Sequence, residues 1–218
     1  MTNHLAELID ETRAAAANPE HPWDRRALEW PLTIGSTVID VGGYRGRWAL
    51  QIAERYGPRL YVFEPQPWAA RVCEAVLGDM ARVFFYGLGT EYATLPMGDW
   101  ETDGCSFVKP GLGIPGTFGV MREIAADFRA LNLSRIDLMM MNIEGYEYTL
   151  IPHMLDQGIL PDRLMVQFHS FADPDGGKLA TIHERMTTAG YTVPWTYGLQ
   201  LTAWERQPRR RGRKGRVA

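Results

Sequence analysis

The chain has 218 residues, of which 45% are hydrophobic and seven are Trp, with a formal net charge of −3. This fits one medium-sized globular domain and argues against a disordered or low-complexity chain. No apolar run reaches the roughly 18 residues of a membrane span, two cysteines (Cys73 and Cys105) make no disulfide framework, and the start carries Glu7 and Asp10 rather than a basic-then-apolar leader, so a cytoplasmic protein with reduced thiols is expected.

Leu5 to Ala17, rich in Ala and acids, reads as a helix that Asn18-Pro19-Glu20-His21-Pro22 breaks. Trp23 to Trp30 reads as a second, short helical piece before Pro31, which makes residues 1–35 an N-terminal helical extension. The segment Val38-Ile39-Asp40-Val41-Gly42-Gly43-Tyr44-Arg45-Gly46 then carries more information than any other. Thr37–Val41 is β-branched and apolar apart from Asp40, as in a central parallel strand. Gly42 and Gly43 let the backbone turn sharply and approach a ligand. Trp48, Ile52 and Tyr56 recur at spacing four, as in a helix packed back onto a sheet.

The carboxylate makes that turn specific. A dinucleotide site wants G-x-G-x-x-G and no acid against the pyrophosphate. Here the spacing is G-G-x-x-G, with Asp40 two residues ahead. An acid there repels phosphate and suits a cationic ligand. S-adenosylmethionine (SAM) carries an ammonium and a sulfonium and no phosphate. The next strand, Leu60–Phe63, ends at Glu64, roughly 20 residues past the glycines, where a ribose-binding carboxylate belongs.

Further elements follow as helix Pro67–Leu77, strand Arg82–Tyr86, helix Met121–Leu131, strand Ile136–Met141, helix Tyr146–Leu155, strand Leu164–His169, helix Lys178–Ala189 and a closing strand pair, Tyr191–Tyr197 and Leu199–Arg206. Strands alternating with helices predict a parallel sheet with helices on both faces. Pro96–Gly119, with six Gly and three Pro, interrupts the alternation as a long loop with a short strand near Ser106–Lys109; a binding loop and a plain surface excursion both fit. The last ten residues hold Arg209, Arg210, Arg211, Arg213, Lys214 and Arg216, so residues 207–218 read as a basic, disordered tail or an arm for an anionic partner.

The second informative stretch is Ile136-Asp137-Leu138-Met139-Met140-Met141-Asn142-Ile143-Glu144-Gly145-Tyr146-Glu147. An apolar strand delivers Asn142, Glu144 and Glu147 to its carboxyl end, where such sheets bind ligands. Acids opening a helix also suit its positive end, which is the reading given to Glu147. The three methionines read as core. His169, at the end of its strand, faces the same crevice and titrates near neutral pH, which makes it the first candidate for a general base and Glu144 the second. No cluster of His, Cys, Asp and Glu has metal-ligand spacing.

Taken together, "VIDVGGYRG", "VFEPQP" and "IDLMMMNIEGYEYTLI" resemble the FkbM family of SAM-dependent methyltransferases, with its D-x-G-x-x-x-G loop, an E-P after the second strand and D-[IV]-E-G-x-E after a later one. The resemblance covers Val38 to His169. It implies a Rossmann-like class I methyltransferase domain over residues 36–206, with a seven-stranded, mostly parallel sheet whose last strand is inserted antiparallel, and methyl transfer to a hydroxyl oxygen of a small molecule or glycan. Carried over, Asp40, Gly42, Gly43, Tyr44 and Gly46 would surround the methionine end of SAM. Glu64, followed by Pro65, would bind both ribose hydroxyls, and Gly87, Leu88 and Gly89 would lie near adenine. The chain departs from the family at Asn142, where Asp is common, and at Gly43-Tyr44-Arg45-Gly46, where Ala-Asn-x-Gly is usual. Asn is neutral and is no base. A nucleic-acid methyltransferase using the basic tail, and a catalytically silent SAM-binding protein, remain alternative readings. An NAD-dependent oxidoreductase fits Asp40 poorly.

Overall fold

The computed structural model describes residues 2–18, 25–97, 118–197 and 201–207. Seven strands form the central sheet: β1 (Thr37–Val41), β2 (Arg59–Phe63), β3 (Ala81–Phe84), β7 (Leu138–Met141), β8 (Arg163–Gln167), β9 (Tyr191–Tyr197) and β10 (Leu201–Arg206). Their order is β3-β2-β1-β7-β8-β10-β9. β3, β2, β1, β7 and β8 run parallel, and β10 enters antiparallel between β8 and β9. This is the predicted Rossmann-like architecture. Its switch point lies between β1 and β7, where chains turn to opposite sides and ligand crevices form.

The alternation of each strand sorts the core into two layers. Ile39, Val41, Phe63, Met139 and Met141 face one layer, packed by α4 (Ile124–Ala130), α5 (Glu147–Asp156) and α6 (Gly177–Thr188). Val38, Leu60, Val62, Leu138 and Met140 face the other, packed by α2 (Arg47–Tyr56), α3 (Pro67–Leu77) and the 3₁₀ turn Arg25–Leu28. The methionines of β7 are thus core on both faces. Pro67 opens α3, where its missing N–H costs nothing. Gly57, in the left-handed region at φ 56°, closes α2.

Helix α1 (Thr2–Ala17) sits outside α2 and α3 and is held by its carboxyl end. Arg47 donates to the Ala15 carbonyl at 2.7 Å and Gln51 to the Ala16 carbonyl at 2.9 Å, so side chains of α2 satisfy carbonyls that the helix end leaves open.

Several boundaries differ from the sequence reading. β3 stops at Phe84, and Gly87–Gly89 forms a short strand, β4, in a second sheet of order β4-β6-β5 with β5 (Ala93–Pro96) and β6 (Phe118–Glu123). Met121–Glu123, expected in a helix, pairs with β4 in that sheet, and Met121 pairs with β5 as well. The reason is Glu123. Its backbone is extended and its carboxylate accepts from the Ala125 and Ala126 amides, so the helix begins only at Ile124. The expected strand at Ser106–Lys109, most of the Pro96–Gly119 loop and the basic tail lie outside the described residues. Among the described residues no helix is long and apolar enough to cross a membrane.

The clamp on α1 is testable. Replacing Arg47 and Gln51 together with Ala should speed amide exchange along α1 while leaving the sheet protected, at a cost of about 1–2 kcal/mol for the two bonds. Unchanged exchange in α1 would show that apolar packing alone holds the helix.

Candidate active site

The strand ends at the switch point carry two buried carboxylates. Asp40 is the penultimate residue of β1 at 3% exposure, and Glu64 follows β2 at 4%. Burial pushes the Asp40 carboxyl up to about 8, and the charge of Glu64 adds to the effect. Burial pushes Glu64 up to about 7 against the opposing effect of two backbone amides. Those amides belong to Gln66, which donates to Oε1 at 2.8 Å, and to Tyr44, which donates to Oε2 at 2.7 Å. Glu64, expected to serve ribose hydroxyls, therefore also fixes the glycine turn. Each oxygen keeps a second acceptor position.

The turn is built without room for side chains. A Cβ on Gly42 would lie 2.0 Å from the Asn142 carbonyl oxygen, and one on Gly43 would lie 2.1 Å from Val62 Cγ1. Gly42 also has φ 84°, open to glycine at little cost. Tyr44 has φ 48°, an uncommon conformation for a side-chain-bearing residue, and its ring meets Trp68 edge-on at 5.5 Å. Arg45 lies over both rings and reaches Glu11 of α1 at 3.3 Å. Gly46 abuts the buried Cys73, whose thiol burial pushes well up, so it reads as core rather than as a nucleophile. Pro65 is half-buried beside Glu64. Among the described residues, four buried polar atoms here have no protein hydrogen-bond partner: Asn142 Oδ1, Gln66 Oε1, Trp68 Nε1 and Arg45 Nε. Such atoms suit a ligand that brings donors and an acceptor of its own.

Gly87 and Leu88 belong to β4. The Leu88 side chain is committed to the core beside Phe63 and Phe128, so only backbone remains there for a ligand.

The second constellation joins the first through the Gly42–Asn142 contact and the bond from the Asn142 amide to the Val41 carbonyl at 2.9 Å. Beyond Asn142, Glu144 sits in the left-handed region at φ 53°, ahead of Gly145 at φ 98°. His169 follows β8 and lies between two carboxylates. Its Nδ1 is 3.1 Å from Glu147 Oε1, and its Nε2 is 3.2 Å from Glu144 Oε1. Burial alone would lower the His169 pKa. Hydrogen bonds and charge from Glu144 and Glu147 overcome that and raise it to about 9. At neutral pH the ring is an imidazolium. Glu147, fully buried, accepts from the Gly145 and His169 amides as well, both at 2.8 Å. Its reading as a helix-opening acid was incomplete, because the partner ring is 22 residues away in sequence. Glu144 side-chain exposure is 15%, which leaves it the carboxylate more open to the crevice. A cavity of about 430 Å³ lies at the opposite, amino ends of β7 and β8, lined by Phe128, Ile136, Ile159 and Arg206, away from these groups.

No family model matches the chain, and no curated protein matches it in sequence. Solved structures do match in shape. The methyltransferase FkbM from Methylobacillus flagellatus KT aligns with TM-score 0.58 and 10% identity over 93% of this chain. This chain spans 59% of that protein's length. An rRNA methylase from Streptococcus thermophilus aligns with TM-score 0.52 and 13% identity, over 88% of this chain and 100% of that one. An O-methyltransferase from Bacillus cereus, in complex with SAH, aligns with TM-score 0.52 and 9% identity, over 93% and 90%. The chain has the fold of class I SAM-dependent methyltransferases.

The buried acids make stability depend on pH. Asp40 and Glu64 hold protons to about 8 and 7 in the folded chain, and release them near 4 when unfolded. Between those values the folded state binds more protons, so stability falls as pH rises from about 5 to 8. Asp40→Asn should flatten that slope, read as urea midpoints at pH 5.5 and 8.5. A variant as pH-sensitive as the parent would place the strain elsewhere.

Proposed function

We propose that this chain is an FkbM-like, SAM-dependent methyltransferase acting on a hydroxyl oxygen of a small molecule or glycan. The observation that carries the reading is the pair of buried carboxylates, Asp40 and Glu64, set around a turn with no room for side chains. Uncompensated buried acids are costly, and a cationic ligand relieves that cost. The unpartnered acceptor Asn142 Oδ1 suits the donors of an ammonium, as Gln66 Oε1 and Trp68 Nε1 suit the polar edge of a nucleoside. The Bacillus cereus neighbour, solved with SAH, supports the choice of ligand by likeness of fold. In domain terms, residues 36–206 would carry the reaction, residues 1–35 would brace it through α1, and residues 207–218 would be a basic appendage.

Bound SAM would supply a methyl cation equivalent: the O–C bond forms as the S–C bond breaks, and the electron pair returns to sulfur. Asp40 and the Gly42-Gly43 turn would hold the methionine end, and Glu64 the ribose, with Tyr44 and Gly46 shaping the walls. Alignment of acceptor and methyl would supply much of the rate. The acceptor's hydroxyl proton would pass to Glu144, whose carboxylate already stands against His169. Acids in this crevice disfavour a polyanionic acceptor, so the rRNA methylase neighbour is taken as a likeness of fold.

Calorimetry with SAM and SAH tests the reading. Binding should release protons near pH 7 and tighten as pH rises through 8, because the cation binds the ionised acids that the empty site protonates. Asp40→Ala should weaken affinity at least about tenfold, roughly 1.4 kcal/mol, with the fold retained. Absence of heat at millimolar ligand would remove SAM from the account. Binding without methyl transfer to any hydroxyl acceptor would leave a silent SAM-binding protein.

A further inference from the structure

We infer that Glu147 is a positioning residue that locks the His169 ring between two carboxylates, so that Glu144 and His169 work as one proton-handling unit at the crevice. The inference deepens the proposed reaction and rests on it for its catalytic meaning, although its geometry stands alone.

Three observations converge. Glu147 is fully buried at the first turn of α5, yet its Oε1 reaches the turn after β8 and accepts both the backbone N–H and the ring Nδ1–H of His169. Two bonds from one residue to one oxygen fix both the place and the plane of the ring. That orientation aims Nε2 at Glu144 Oε1. Glu144, in turn, adopts a left-handed backbone, φ 53°, that is strained for a side-chain-bearing residue. The following Gly145 has φ 98°, and a Cβ there would press on Phe171 and Ala172 at 3.0 Å. The chain accepts strain on one side and forbids a side chain on the next, and the result is a carboxylate placed at the free nitrogen of a fixed ring.

The charged neighbours of that ring are Glu144 from the β7–α5 loop and Glu147 from α5. From the turn after β8, Phe171 contributes an aromatic face 5.7 Å away. Asp173, further along, is engaged by the Lys178 and Leu179 amides, and the Lys178 ammonium by the Ala172 carbonyl. The raised pKa of the ring holds it toward the imidazolium at neutral pH, between the side chains of Glu144 and Glu147. When the acceptor hydroxyl gives up its proton, Glu144 takes it, and the imidazolium keeps its N–H contacts with Glu144 and Glu147. The proton then leaves from Glu144 to solvent. Above the ring's titration the imidazolium is lost, two carboxylates face one neutral ring, and the arrangement fails.

The test is the titration of His169 followed by NMR in the full chain, with the resonance assigned through its loss in His169→Asn. The ring should stay protonated to about pH 9 in the parent, and should titrate at least about one pH unit lower in Glu147→Gln and in Glu144→Gln. With an active acceptor, the alkaline limb of kcat should follow the same shift, and Glu147→Gln should lower kcat by about 10²-fold while leaving the affinity for SAM unchanged. A parent ring that titrates near 6.5, or one that Glu147→Gln leaves unmoved, would overturn the inference. Should Glu147→Gln fail to fold, the parent titration and Glu144→Gln decide. The titration needs no cofactor, so a chain that shows the expected shift but never transfers methyl would sink the proposed activity and leave the coupled unit standing.

Discussion

The contact between the backbone of Gly42 and the carbonyl of Asn142 governs the rest of the molecule. Parallel strands β1 and β7 lie side by side, and beyond their last residues the two following loops touch with no space for a methyl group. One loop leads to the acids and the turn that suit a cofactor. The other leads to Glu144, Gly145 and the fixed histidine. A single close approach thus makes two loops behave as one rigid lip, and the sheet beneath supplies the rigidity. Sites on such a foundation hold their groups more closely than sites on long loops do.

Against that frame, the electrostatics divide into two halves of opposite character. On the β1–β2 side, Asp40 and Glu64 are buried, with two backbone amides donating to Glu64, and burial draws both toward their protonated forms. On the β7–β8 side, carboxylates flank an imidazolium, and it is the ring whose proton is retained. The first half would be relieved by a positive ligand. The second already contains its counter-charge and needs none. This asymmetry gives a physical reason why one end of the crevice would hold a cation while the other manages a proton.

Much of this was legible in the sequence, and the reasons are particular. Thr37–Val41, Pro67–Leu77 and Tyr191–Tyr197 were read with the bounds they have, because a β-branched run, a proline start and a glycine-flanked run mark them locally. The glycine turn was legible because few other patterns place an acid two residues before paired glycines. The small β4-β6-β5 sheet was not, since strands of three to six residues containing glycine or proline are too short to stand apart from a loop in sequence. The start of α4 was missed because Glu123 acts as its own cap, where Ser, Thr, Asp or Asn is the usual sign. The tie between Glu64 and the glycine turn was invisible because it depends on the amide of Tyr44 turning inward. Glu147 was half-read: it does serve the amides that open a helix, but its tie to His169 exists only once β7 and β8 are adjacent.

The insertion of β10 has a consequence for the chain as it is synthesised. β8 is complete by residue 167, but the strand that pairs with its open edge spans 201–206 and carries the buried Leu201, Ala203 and Trp204. Until those residues emerge, the growing chain presents a row of unsatisfied amides and carbonyls and an uncovered apolar face. A ribosome adding about 5–20 residues per second leaves that edge bare for a few seconds. Helper proteins that shield strand edges would act in that interval, and a translational pause before residue 201 would lengthen the exposure.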